Sequence, residues 1–264
     1  MHHIPKKRLS QNFLIDSNIS RKIVDASHLS PADTVLEIGC GQGALTGEIL
    51  RQAHHIYGVE FDRQLYSTLK QELKDQKHFT LFEADILEFD FDQIPDHGNK
   101  IKVIGNLPYH ISSPIIFRLI DQRDRINTAT IMLQKEVALR LVSEPSSKDY
   151  GILSVFCQYF AVCKRLFDIP PSAFFPRPKV ESSIVQLTFR DSPPPVSDFD
   201  TFKQVVKRSF NQRRKMLRNS LSAFVGKRSI DFNLQLRPEQ LSVDEFIRLT
   251  DLLYQNTLCV KNQK

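Results

Sequence analysis

Val35-Leu-Glu-Ile-Gly-Cys-Gly-Gln-Gly-Ala-Leu-Thr46 joins a short apolar run to a helical pattern through a Gly-x-Gly-x-Gly turn. Gly39, Gly41 and Gly43 carry no Cβ, so backbone there can pass close to a ligand. In open α/β sheets, ligands bind beyond the carboxyl ends of the strands, and the turn falls at such an end. A plain tight turn uses the same residue types, so the glycines alone do not decide the matter. Their spacing also departs from the Gly-x-Gly-x-x-Gly of dinucleotide sites.

Around this turn, strand-like runs alternate with helical patterns as far as residue 190. The patterns predict strands over 34–38, 56–60, 79–84, 102–105, 129–133, 162–167 and 184–189. They predict helices over 44–53, 65–73, 114–120 and 135–142. Such alternation implies an α/β domain, a parallel sheet with helices on both faces. Asp191-Ser-Pro-Pro-Pro-Val-Ser197 can continue neither a strand nor a helix and reads as a linker. Beyond it, three helical patterns follow, on Phe202/Val205/Val206/Ser209/Phe210, on Met216/Leu217/Leu221/Phe224 and on Phe246/Leu249/Leu252/Leu253. The expected organisation is a catalytic domain over 1–190, with an N-terminal arm at 1–16, and a small α-helical domain over 191–264.

Composition bounds the class. The chain has 264 residues, 41% of them hydrophobic, which suits one large globular domain and a small one. No apolar run is long enough to span a bilayer. The polar, basic start has no signal-peptide core, so a cytoplasmic protein without membrane contact is expected. The four cysteines show no paired metal spacing and the eight histidines no ligand spacing, so thiols should be reduced and no metal is expected. Cys40, inside the turn, reads as a small filler rather than a nucleophile. The net charge of +6 is uneven: residues 191–264 hold 13 basic and 8 acidic residues, and Lys203 to Arg228 includes nine bases and no acid. This suggests either a polyanion partner or a solvated helical face. Lys6-Lys-Arg8 in the arm reads likewise as a phosphate contact or a basic tail.

Two acids strengthen the reading of the turn. Glu60 ends the second strand, 21 residues after Gly39, where an acid can accept both hydroxyls of a ribose. Asp85 ends the third and can accept from the exocyclic amine of an adenine, although alone it suits a helix N-cap equally. The fourth strand ends in Asn106-Leu107-Pro108-Tyr109. This tetrapeptide resembles the acceptor motif of methyltransferases acting on exocyclic amines of bases, and the resemblance implies an aromatic amine, a poor nucleophile because its lone pair is conjugated into the ring. The Asn106 side-chain oxygen and the Pro108 carbonyl can accept its two N–H bonds, favouring a pyramidal nitrogen aimed at an electrophile. Tyr109 can stack on a base lifted out of its helix. Phe174, in Phe-Phe-Pro-Arg-Pro-Lys-Val180, is a candidate for the opposite face of the base, with core packing as its other reading.

The turn resembles the first motif of S-adenosylmethionine-dependent methyltransferases, and Asn-Leu-Pro-Tyr resembles the acceptor motif of those acting on exocyclic base amines. Together with Gln11-Asn-Phe-Leu14, Phe174-x-Pro-x-Pro-Lys-Val180 and Arg213-Arg-Lys-Met-Leu-Arg-Asn-Ser-Leu221, the chain resembles small-subunit ribosomal RNA adenine N6,N6-dimethyltransferases of the KsgA type. The resemblance implies a Rossmann-like class I methyltransferase sheet with a small C-terminal α-helical RNA-binding domain. It implies S-adenosyl-L-methionine as methyl donor, held by Asn12, Leu14, Gly39, Glu60, Asp85 and Asn106. It implies dimethylation of N6 of two adjacent adenosines near the 3′ end of 16S ribosomal RNA, within an immature small ribosomal subunit, by a monomer. Ser10 departs from the glycine usual in that family before Gln-Asn-Phe-Leu. A large-subunit methylating relative conferring antibiotic resistance and an assembly factor without catalysis are the alternatives. An oxidoreductase fits the glycine spacing poorly.

Overall fold

The computed structural model describes residues 11–212, 215–225 and 230–261, with side chains as far as 255. The basic arm 6–8, Ser10, Arg213, Arg214 and the side chain of Cys259, one of the four cysteines, lie outside the described residues.

The chain divides into two compact units. The first takes residues up to Ala138 and then Val162–Asp191; the second takes Leu139–Ala161 and Ser192–Lys264. Residues 139–161 therefore leave the continuous 1–190 stretch expected for the catalytic domain and group with the C-terminal helices.

The first unit is built on a seven-stranded sheet. Its strands are β2 (Thr34–Ile38), β3 (His55–Glu60), β4 (Phe79–Glu83), β5 (Ile101–Asn106), β6 (Ile126–Gln134), β7 (Ala161–Ile169) and β9 (Ser182–Phe189), in spatial order β4-β3-β2-β5-β6-β9-β7. Strands β4 to β6 across the centre are mutually parallel, whereas β9 runs antiparallel to β6. The order reverses direction beside β2, and the glycine turn leaves the end of that strand. All five β2 residues are buried, as a strand covered on both faces requires. On one face Val35, Ile56, Ile104, Met132 and Ile184 join Ile23 and Val24 of α1 (Ser17–Asp25) and Ile49 of α2 (Thr46–Ile49) in one apolar cluster. Helix α1 starts where the Asp16 carboxylate accepts from the Asn18 and Ile19 N–H groups. Helix α3 (Arg63–Glu72) starts at Asp62, which accepts from Gln64 N–H and buries Leu65 and Leu69. Helices α4 (Ser112–Asp121) and α5 (Lys135–Val142) follow β5 and β6. Two short strands, β1 (Phe13–Leu14) and β8 (Phe174–Phe175), pair antiparallel apart from the main sheet, with Phe13 opposite Phe175 and Leu14 opposite Phe174.

The second unit is helical. Helix α6 (Ile152–Phe160) buries Phe156, Tyr159 and Phe160. Helix α7 (Phe199–Asn211) is capped by the Asp198 carboxylate, 2.7 Å from Thr201 N, and buries Phe202, Val205, Val206 and Ser209. Tyr159 meets Phe202 with ring centroids 4.8 Å apart, and Phe156 lies edge-on to the same ring at 5.9 Å. The short α8 (Leu217–Ser220) and α9 (Ser222–Val225) and the long α10 (Val243–Lys261) complete the unit, with Leu217, Leu221, Phe246, Leu249 and Leu253 buried. Of the residues assigned above to helical faces, Met216 is instead 48% exposed.

Candidate active site

The carboxyl ends of β2, β3, β4 and β5 surround one cavity, closed on another side by residues 11–14. Asn12, Leu14, Gly39, Glu60, Asp85, Asn106, Leu107, Pro108 and Tyr109 all line it. Gly39, Gly41 and Gly43 have φ of +72°, +57° and +79°, a left-handed run that L side chains rarely adopt. A Cβ on Gly41 would also meet the Phe13 ring at 3.4 Å.

Glu60 organises the donor end. One carboxylate oxygen accepts from Gly41 N–H at 2.8 Å and the other from Asp62 N–H at 2.7 Å. The side chain thus ties the glycine turn to the start of α3, while a carboxylate oxygen retains a further lone pair for a ligand hydroxyl. Burial raises its pKa. Asp85 caps a turn with one oxygen, 2.9 Å from Leu87 N; the other makes no bond among the described residues. It is therefore the cap read from sequence and a free acceptor at once. Cys40 is buried with its thiol pKa pushed up by burial, as a filler and not a nucleophile would be.

Glu37 lies beneath the turn, 1% exposed, and accepts from the Thr46 hydroxyl at 2.7 Å. Burial pushes its carboxyl up to about 8, opposed by the Thr46 hydrogen bond and reinforced by the Glu60 charge. Between the unfolded value near about 4.3 and this folded value, the native state holds the extra proton. The contribution to stability is thus complete at low pH and lost as pH rises through the folded pKa. Urea midpoints should fall from pH 6.5 to 9 more steeply for the wild type than for Glu37→Gln. Parallel declines would contradict this.

The acceptor end is held from two sides. Asn106 Nδ2 donates to the Asn12 carbonyl at 3.0 Å, which leaves the amide oxygen as the group able to accept a substrate N–H. Gln11 Nε2 donates to Asp62 at 2.9 Å, so residues 11 and 12 bridge the ends of β3 and β5. The Pro108 carbonyl already accepts from Ile111 N–H at 3.2 Å, with its second lone pair remaining. Tyr109 shares a 2.7 Å hydrogen bond with the hydroxyl of Ser182, a fully buried residue opening β9. His110 is exposed.

Phe174 requires correction. It is 1% exposed, faces the apolar cluster opposite Leu14 and does not line the cavity. In this structure its core-packing reading holds, and the exposed aromatic is its neighbour Phe175, at 61%. Ser182, Asp62 and the exposed rim residue Phe61 are site residues that sequence reasoning passed over. Asp62 carried a signal, an N-cap acid before a helical pattern; Ser182 carried none.

A doubly wound sheet with acids at successive strand ends and an oriented Asn-Leu-Pro-Tyr amide defines a class I methyltransferase site. The chain matches the model for ribosomal RNA adenine dimethylase over residues 2–254. It is 44% identical over 254 residues to ribosomal RNA small subunit methyltransferase A of Francisella tularensis subsp. novicida, covering 94% of this chain and 97% of that protein. It is 41% identical to the protein of the same name from Alcanivorax borkumensis, covering 95% and 90%. Among solved structures, a dimethyladenosine transferase from Plasmodium falciparum superposes with a TM-score of 0.76 at 25% identity, covering 93% of this chain and 98% of that one. The 23S rRNA methyltransferase ErmE superposes at 0.73 and 25% identity, covering 92% and 100%. This chain belongs to the ribosomal RNA adenine dimethylase family. It is an S-adenosylmethionine-dependent adenine N6,N6-dimethyltransferase.

Proposed function

We propose that the chain dimethylates N6 of two adjacent adenosines near the 3′ end of 16S ribosomal RNA, acting as a monomer on an immature small ribosomal subunit in the cytoplasm. The observation carrying the acceptor chemistry is the Asn106 amide, fixed by Asn12 with its oxygen left to accept. The choice of subunit is supported by relatives named for the small subunit at 41% and 44% identity, against 25% for the large-subunit enzyme.

The cavity suits the donor. Its left-handed glycine turn leaves room for a ligand against backbone, and Glu60 and Asp85 offer acceptors for ribose hydroxyls and an adenine amine. Asn12, Leu14, Gly39, Glu60, Asp85 and Asn106 would hold it. S-adenosylmethionine supplies a methyl already activated by the positive charge on sulfur. Asn106 and the Pro108 carbonyl accept from the adenine amine and turn its lone pair toward that methyl for in-line displacement. Tyr109, anchored by Ser182, stacks on the unstacked base. Water takes the proton from the acidified N6, so no residue is needed as base. The second unit, carrying Lys203, Lys207, Arg208, Lys215 and Arg218, holds RNA phosphates in a salt-dependent manner.

Labelled methyl transfer to unmethylated small and large subunits, followed by nucleoside analysis, tests this. N6,N6-dimethyladenosine in small-subunit RNA alone is expected. The same product in large-subunit RNA would instead mark a resistance enzyme, and tight particle binding without transfer an assembly factor.

A further inference from the structure

We propose that Phe175, with Arg177 and Lys179, forms a platform for the nucleotide adjoining the target adenosine. The proposal rests on the function above and concerns the rim of the same site.

Successive strand residues point to opposite faces. Phe174 and Leu14 enter the core, so Phe175 lies on the other face with its partner Phe13, whose ring lines the cavity against Gly41. Phe13 adjoins Asn12, whose carbonyl holds the acceptor amide. Phe175 thus sits one strand spacing, about 4.8 Å, from the segment that positions Asn106. It is 61% exposed, as is Ile15 further along the same segment.

The loop is tethered at both ends. Phe174 is sunk in the core, and Ser182 bonds Tyr109 at 2.7 Å. Glu181 is ion-paired to Lys135 at 2.6 Å. Pro176 and Pro178 fix φ at two positions between the tethers. Arg177 and Lys179 are exposed and take part in no ion pair among the described residues. A held aromatic face followed in the same loop by two uncommitted cations suits an unpaired base and its adjoining phosphates, the combination by which proteins hold single-stranded nucleic acid. A base flipped into the cavity leaves its neighbour unstacked on that side, and Phe175 offers the replacement surface.

The test is steady-state methyl transfer to unmethylated small subunits by full-length wild type, Phe175→Ala, Phe175→Leu and Phe175→Trp, with donor affinity by calorimetry. Phe175→Ala should raise KM for the particle by about 10-fold and leave donor affinity unchanged. Phe175→Trp should restore KM, and Phe175→Leu, apolar but unable to stack, should not. An unchanged KM in Phe175→Ala, or restoration by Leu equal to that by Trp, overturns the platform while wild-type transfer leaves the enzyme's function standing. Absence of transfer by the wild type removes that function and the platform with it.

Discussion

Asn106→Ala should lower the rate of methyl transfer about 10²–10³-fold, the loss typical of removing one oriented polar group from a transition state. The amide acts in two directions. Its nitrogen donates to the Asn12 carbonyl, and its oxygen is left for the amine of the substrate. Alanine removes both, so the strap at residues 11–14 loosens as the acceptor disappears. Asn106→Asp separates the two: a carboxylate still accepts from the amine but cannot donate to Asn12. Its single-turnover rate should fall between wild type and Asn106→Ala. A near-normal rate in Asn106→Ala at saturating donor would sink the orienting role, whatever happens to donor affinity.

Glu60→Ala should weaken S-adenosylmethionine binding by about 10²-fold, with a loss of thermal stability in the same variant. The acceptor proposed for the donor's ribose goes, and the Gly41 and Asp62 N–H groups lose their partner. Each buried donor left unsatisfied costs about 1–3 kcal/mol. Glu60→Gln keeps the shape but turns an NH₂ group toward one of two N–H donors, so it should rescue only part. Calorimetry and a melting curve on each variant check both effects. Unaltered donor affinity in Glu60→Ala would remove the carboxylate from the donor site.

Much of this site was legible in the sequence because its parts stand at strand ends. Residues 34–38 were read with the observed bounds, since an apolar run stops at glycines that cannot extend it. Glu60 and Asn106 close β3 and β5, and Asp85 stands two residues past the end of β4, close to the strand end expected for it. Other parts had no local signature. Residues 152–160 are apolar nearly all round, six of nine buried, so no one-sided stripe marked the helix. Helix α1, absent from the expected elements, does carry a local signature, with apolar residues at 19, 23 and 24 behind an N-cap acid. That β9 runs antiparallel is set by pairing with β6, which alternation of elements does not report. Phe174 and Phe175 are identical neighbours; only the register of β8 on β1 decides which enters the core and which stays outside.

The interleaving of the two units has a consequence for how this polypeptide is made. Synthesis completes β2 to β6, then α6, and only afterwards β7 and β9, the last strands of the first sheet. When α6 emerges, the partners of its aromatic face, Phe199 and Phe202, have yet to be made. The nascent chain must therefore carry an uncovered aromatic helix while the sheet is still unfinished, and the helix stays uncovered after β9, the last strand of that sheet, has been made. A gene cut after codon 191 would accordingly yield no smaller enzyme, but a sheet tethered to a helix whose apolar side has lost its cover.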